Sequence, residues 1–153
     1  RQDREVLQPE QIDAIIESCD CLRLGLNAED GAYIVPLNFA YVPGKPAKFY
    51  FHSAKEGRKV DMIGQGAKAG FELDGAHRLG EAETGCRHTF FYQSVIGTGT
   101  VRPVETLEEK KRALSAIMAH YRKDCAFSFT DEQADAVAVF CLTAETMSCK
   151  QHS

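Results

Sequence analysis

Hydrophobic and polar positions change their period several times along this chain. In PEQIDAIIESC (9–19), Ile12, Ile15, Ile16 and Cys19 fall on one stripe at helical spacing, and Pro9 with Glu10 suits a first turn. Shorter apolar or alternating runs follow, and CLRLGLN, YIVPLNFAY, AKFYFHS and AGFEL read as strands. VPGKPAK is turn chemistry, so YIVPLNFAY and AKFYFHS are expected to form a hairpin. FFYQSVIGTGTVRPV is a long strand in which Gly97 and Gly99 mark a bulge or a sharp bend. TLEEKKRALSAIMAHY is a helix with Thr106 and Glu109 as a capping box and Leu107, Leu114, Ile117 and Tyr121 on one face. AVAVFCLTAE closes the pattern as an apolar strand. Strand runs with helices inserted, without strict βαβ alternation, predict a mainly β (α+β) fold: an antiparallel sheet or barrel with peripheral helices. At 153 residues the chain, 1–153, is expected to be a single domain with a real core.

Charge narrows the partners. Eighteen Lys and Arg against 22 Asp and Glu give a net charge of −4, so neither nucleic acid nor an anionic membrane is expected as the main partner. No apolar run approaches the ~20 residues that span a bilayer. RQDREVLQPEQ has no signal-peptide core, and the start at Arg1 rather than Met suggests a trimmed beginning. A soluble cytoplasmic protein is the expectation. The six cysteines do not read as a disulfide framework in a chain this long and core-rich. Cys19-x-Cys21 and Cys86-x-His88 lack the usual C-x₂-C zinc spacing, so no metal is expected. Cys141 reads as core, Phe90 and Tyr92 as barrel core, and His77, His120 and His152 as surface residues.

The candidate chemistry lies in FYFHSAKEGRKVDMI (49–63). An apolar strand runs into a helix whose opening turns carry Lys55, Arg58 and Lys59, although a helix N-terminus repels cations. Ser53 and Glu56 form S-x-x-E, which predicts a helix start directly after the strand. A solvated charged face accounts for the three cations, and so does a bound phosphate, which resolves the dipole conflict and uses the free N–H groups. No G-x-x-x-x-G-K-[ST] or G-x-G-x-x-G motif is present, which points away from ATPases and dinucleotide folds. Pro36 within YIVPLNFAY removes a ladder donor, so that strand is bulged or at an edge. Free backbone groups beside Val35 and Leu37 suit the edge and face of a flat heteroaromatic ring.

Five segments together, GAYIVPLNFAY (31–41), YFHSAKEGRKVDMI (50–63), CRHTFFYQSVIGTGTV (86–101), EEKKRALSAIMAHY (108–121) and VAVFCLTAETMSCKQ (137–151), carry a resemblance. In this order they resemble the pyridoxamine 5′-phosphate oxidase-like flavin-binding split barrels, and within them the nitroimidazole-resistance (Nim-type) branch. The resemblance implies a six-stranded antiparallel split barrel with helices, and a homodimer with FMN at the subunit interface. It implies that His52 and Ser53 lie beside the ribityl phosphate and that Arg58 and Lys59 bind the phosphate. It further implies that Val35, Pro36, Leu37 and Asn38 meet the isoalloxazine edge and that Gln93 and Ser94 reach the flavin of the other subunit. His52 matches the histidine treated as the active-site residue of that branch. Two positions depart from the pattern: His88 stands where Trp is frequent, and Gln93 where Arg is frequent. The tail TAETMSCKQHS lacks the Arg- and Trp-rich ending of true pyridoxamine phosphate oxidases. The expected function is FMN-dependent reduction of a small electrophile such as a nitroaromatic, the alternative a non-catalytic flavin- or haem-binding protein.

Overall fold

The computed structural model describes residues 1–153. Elements run in the order β1 (Glu5–Val6), α1 (Pro9–Ser18), β2 (Leu22–Ala28), β3 (Gly31–Leu37), β4 (Ala40–Val42), β5 (Lys48–Ser53), α2 (Arg58–Ile63), β6 (Ala67–Gly80), β7 (Thr89–Pro103), α3 (Leu107–Tyr121), α4 (Asp131–Asp135) and β8 (Ala138–His152). The strands form one sheet in the order β3-β2-β6-β7-β8-β5-β4, with β1 added to β8. All pairings are antiparallel. Six long strands supply the frame, and β1 and β4 are two- and three-residue additions. The sheet does not close, so β3 and β4 remain as edges, as a split barrel requires.

Alternation builds the core. Leu22, Leu24 and Leu26 of β2, Phe49 and Phe51 of β5, Phe71 and Leu73 of β6, Val95 and Val101 of β7, and Phe140 and Leu142 of β8 point inward and are buried. Ile15, Ile16 and Cys19 of α1 join that interior, as their stripe predicts. A smaller cluster sits outside the barrel wall, where Ala113 and Leu114 of α3 and Ala134 of α4 cover Val139 and Cys141 of β8. All six cysteines are free thiols, and burial pushes Cys19 and Cys149 up to about 11.

Several local expectations need correction. YIVPLNFAY is two strands: β3 pairs with β2, whereas β4 pairs with β5, and the chain changes partner at Asn38 and Phe39. Pro36 does lie on an edge, since β3 has no second neighbour. The helix after β5 begins at Arg58 rather than beside Ser53; Gly57 is its N-cap, at φ 137°, and the Ser53 hydroxyl donates to Ala54 O instead. Thr106 accepts from the Glu109 backbone N–H, but the Glu109 carboxylate accepts from Arg102 and Tyr50, so only half of that box forms. Leu107 is exposed, and Phe90 is 52% exposed rather than core. Its place near the outer ends of β6 and β7, opposite Leu79, lies beyond the reach of the barrel interior.

His120 is not a surface residue. Its side chain is 4% exposed and its ring lies 4.4 Å from that of Phe39. Nε2 is 2.7 Å from the Cys19 carbonyl, which can only accept, so Nε2 carries the proton. Tyr121 beside it donates to Asp20 O at 2.8 Å and accepts from the Phe39 N–H at 3.1 Å. The end of α3 thus holds both the end of α1 and the crossing between the two sheet edges.

The bend of β7 over β8 depends on glycine. A Cβ on Gly99 would stand 2.2 Å from the Thr143 carbonyl oxygen, backbone that cannot rotate away, at the register shift between Thr98 and Gly99. Gly99→Ala is expected to cost about 1–3 kcal/mol in chemical denaturation, the range for overpacking. Gly85→Ala, where the added methyl meets nothing within 4 Å, should stay within about 0.5 kcal/mol.

Candidate functional site

The expected site residues converge from β3, β5 and α2. The β4–β5 register pairs Ala40 with Tyr50, and continued two residues back it sets Asn38 opposite His52 at the mouth of the split. Leu37 is buried there while Pro36 and Asn38 are exposed, so the end of β3 offers polar backbone beside an apolar wall. His52 stands at the exposed end of β5, next to Ser53. The site is legible in the fold because both strands reach their ends where the sheet fails to close.

The three cations are not equivalent. Lys55 lies 3.8 Å from Asp135 of α4. Arg58 lies 3.2 Å from Asp30, in the turn between β2 and β3, and its guanidinium sits 4.5 Å from the centroid of the Tyr33 ring. Arg58 therefore fastens α2 to the hairpin that carries the free edge. Lys59 pairs with no carboxylate, and partial burial holds its pKa below the ordinary lysine value. Burial first, and the Lys59 charge second, likewise lower the pKa of His52. The sequence pointed to the cations, but it had no signal for Asp30 and Tyr33, whose roles appear only when the β2–β3 turn folds back on α2.

An unpaired, partly desolvated lysine beside a neutral imidazole is a place where an anion restores the balance. The fit to a phosphate is thus carried by Lys59 and His52, with Arg58 already committed to Asp30. The helix start contributes little, since α2 is a single short turn and more. Gln93 and Ser94 lie elsewhere in the same chain. They pair with Gln151 and Lys150 on β8, whereas His52 pairs with Val139 on that strand. The stretch from Val139 to Gln151 is roughly 40 Å of strand at about 3.3 Å per residue. Within one chain, Gln93 and Ser94 thus lie far along β8 from the pairing position of His52.

A groove of about 570 Å3 contains none of these residues. It lies between α1, the Gly44–Pro46 turn and β8 at Ala144–Met147, at the far end of β5 from His52. A smaller cavity of about 290 Å3 opens beside His52 under α3 and α4. Its α4 wall was missed in the sequence, although Thr130 and Gln133 form a complete capping box that marks the helix start.

Comparison with known proteins agrees with this fold. Residues 8–151 match the family model described as pyridoxamine 5′-phosphate oxidase. A solved protein from Bacteroides thetaiotaomicron, provisionally named a 5-nitroimidazole antibiotic resistance protein, is 30% identical. It covers 96% of this chain and 86% of its own, with a TM-score of 0.81. An FAD and haem binding protein from Mycobacterium smegmatis superposes with a TM-score of 0.84 at 16% identity, over 98% of this chain and 74% of its own. A flavocytochrome from Azotobacter vinelandii gives 0.77 at 16% identity, over 97% and 69%. The last two show the shared fold. No curated protein matches the sequence.

His52 binds its proton more weakly in the fold than in the unfolded chain, so its contribution to stability is kept at neutral pH and lost as pH falls through about 6.5. In an NMR titration its midpoint should lie below 6.5 and rise when inorganic phosphate is added. A midpoint that ignores phosphate would detach His52 and Lys59 from any anion.

Proposed function

Because the chain belongs to the pyridoxamine 5′-phosphate oxidase family, we propose that it binds FMN and uses it to reduce a small electrophile such as a nitroaromatic. The observation that carries this reading is Lys59, an unpaired and partly buried cation beside His52 at the mouth of the split. Lys59, with Ser53, would hold the ribityl phosphate, and Arg58, bridged to Asp30, would add its charge nearby. Val35, Pro36, Leu37 and Asn38 would meet the isoalloxazine edge, using backbone groups that an edge strand leaves free. Bound flavin would supply two-electron chemistry between a reduced nicotinamide donor and the electrophile. The chain's own part is position and proton transfer. A neutral His52 has one donor and one acceptor nitrogen, enough to polarise a substrate oxygen or pass a proton to it.

A homodimer is part of this reading, and the placement of Gln93 and Ser94 supports it. Too remote to serve the His52 of their own chain, they would complete the site of a second copy. The exposed apolar residues Ile34, Leu79, Phe90 and Ile96 offer surface for that contact. Haem binding is the second reading, favoured by the likeness to two proteins described as binding haem or as a flavocytochrome.

A visible spectrum of the protein after incubation with FMN separates the readings: a retained flavin band supports FMN, a Soret band after haem addition supports haem, and retention of neither defeats both. Lys59→Ala should weaken FMN at least about tenfold, the loss of a charge-assisted contact of about 1.5–3 kcal/mol, and leave riboflavin nearly unchanged. Equal losses for both ligands would show that Lys59 does not hold the phosphate. In sedimentation, the FMN-loaded protein should run as a dimer at micromolar concentration, and Gln93→Ala should raise the rate of flavin release. A stable, flavin-loaded monomer is the contrary result.

A further inference from the structure

The cavity beside His52 carries an inference of its own. Along β5, Phe49 and Phe51 face the barrel interior, so Tyr50 and His52 face outward, toward α3 and α4. There Leu114, Ile117 and Met118 of α3 form one wall, and Phe129 and Val137, on either side of α4, form the other. Only two polar side chains line the space, His52 and Gln133. No carboxylate, lysine or arginine does, although Lys55, Arg58 and Lys59 lie close in sequence to His52.

The hydrogen-bonding capacity of those two groups is restricted. Gln133 Oε1 accepts the Thr130 backbone N–H at 3.0 Å, which leaves its amide NH2 as the free function. The Thr130 hydroxyl accepts from the Gln133 N–H at 3.2 Å, so the residue is held at both its backbone and its side chain. Partial burial and Lys59 keep His52 neutral at pH 7. A charged ligand entering this space would lose water and find no counter-charge among the side chains that line it. At about 290 Å3 the cavity sits at the lower end of ligand pockets, which begin near 300 Å3 and hold drug-sized molecules only well above that.

We propose that this cavity takes a neutral, single-ring molecule bearing one hydrogen-bond acceptor, with the Gln133 amide as donor. Its role as the compartment that presents the substrate to His52 rests on the flavin reading above; its ligand class does not. Gln133, Met118 and Phe129 then decide which electrophiles reach the site, the amide by polarity and the other two by size.

The three methionines provide the test. In protein carrying 13C-methyl methionine, Met118 reports on this cavity, Met147 on the larger groove, and Met62 on neither; Met118→Leu assigns the signal. Acetophenone should shift the Met118 methyl saturably and leave Met147 and Met62 in place. Benzoate, the same ring with an anion, should bind at least about tenfold more weakly, and 2-acetylnaphthalene should not enter. Gln133→Glu retains a side-chain acceptor for the Thr130 N–H but lacks the amide donor. It should weaken acetophenone about three- to tenfold, one hydrogen bond's worth. Absence of a saturable Met118 shift, or benzoate binding as tightly as acetophenone, overturns the proposal, and an unchanged Gln133→Glu overturns the donor. Repeating the titration with FMN separates the two claims. Flavin uptake without a Met118 response defeats the cavity and spares the flavin reading. A Met118 response without flavin uptake supports the ligand class and defeats the flavin reading.

Discussion

The molecule depends on a sheet that bends almost into a barrel and does not close. Two edges, β3 and β4, face each other across the gap, and the chain itself crosses it in two residues, Asn38 and Phe39. The crossing is held from inside and outside. Phe39 is fully buried against Phe49, with ring centroids 6.1 Å apart, while His120 and Tyr121 grip it from α3. An exposed edge is ordinarily a liability, since unpaired backbone groups invite another strand. Here Pro36 blunts the edge of β3, and the neighbouring Arg58 and Lys59 discourage flat pairing. What remains is a short length of open backbone between an apolar wall and a cation, the combination that a phosphorylated planar cofactor requires.

The electrostatics divide the labour among cations that look alike in the sequence. Arg58 is planar and forked, and it serves structure: it bridges Asp30 and stacks on Tyr33. Lys55 meets Asp135 on the surface, where such pairs contribute little. Lys59 is partly buried and has no such partner. This division explains how three positive charges coexist at the start of a short helix, and it leaves Lys59 as the one with no carboxylate partner.

Much of this was readable in advance where one local signal decides. The α1 stripe, the Gly97–Gly99 bend and the edge position forced by Pro36 each follow from the residues themselves. The resemblance in FHSAKEGRK put the candidate site at the end of β5. What failed to be legible depends on pairing at a distance. The partner change at Asn38 cannot be seen in YIVPLNFAY, because both halves have strand composition and only the register of β2 and β5 separates them. Ser53 looked like a cap, but Gly57 at positive φ could enter the helix from a conformation closed to Ser, and it did. His120 sits among polar residues in the sequence, and its burial arises from packing on Phe39, 81 positions away. The strand character of TMSCKQH was hidden by its polarity, since there only Met147 and Cys149 face the apolar interior while β8 pairs with β7 and, at its end, with β1.

That last strand has a consequence for how the chain reaches its folded state. β8 is the final element, yet it pairs with β1, β5 and β7 and is the only link between β5 and the rest of the sheet. On a ribosome, a chain lacking residues 138–152 has β2, β3, β6 and β7 able to associate, while β5 has no neighbour but the three-residue β4. The edge with Pro36 needs only the β2–β3 hairpin, whereas the place of His52 in the sheet depends on β8. Contacts so distant in sequence are slow to form. Any site built from both Pro36 and His52 is therefore complete only once β8 has paired with β5.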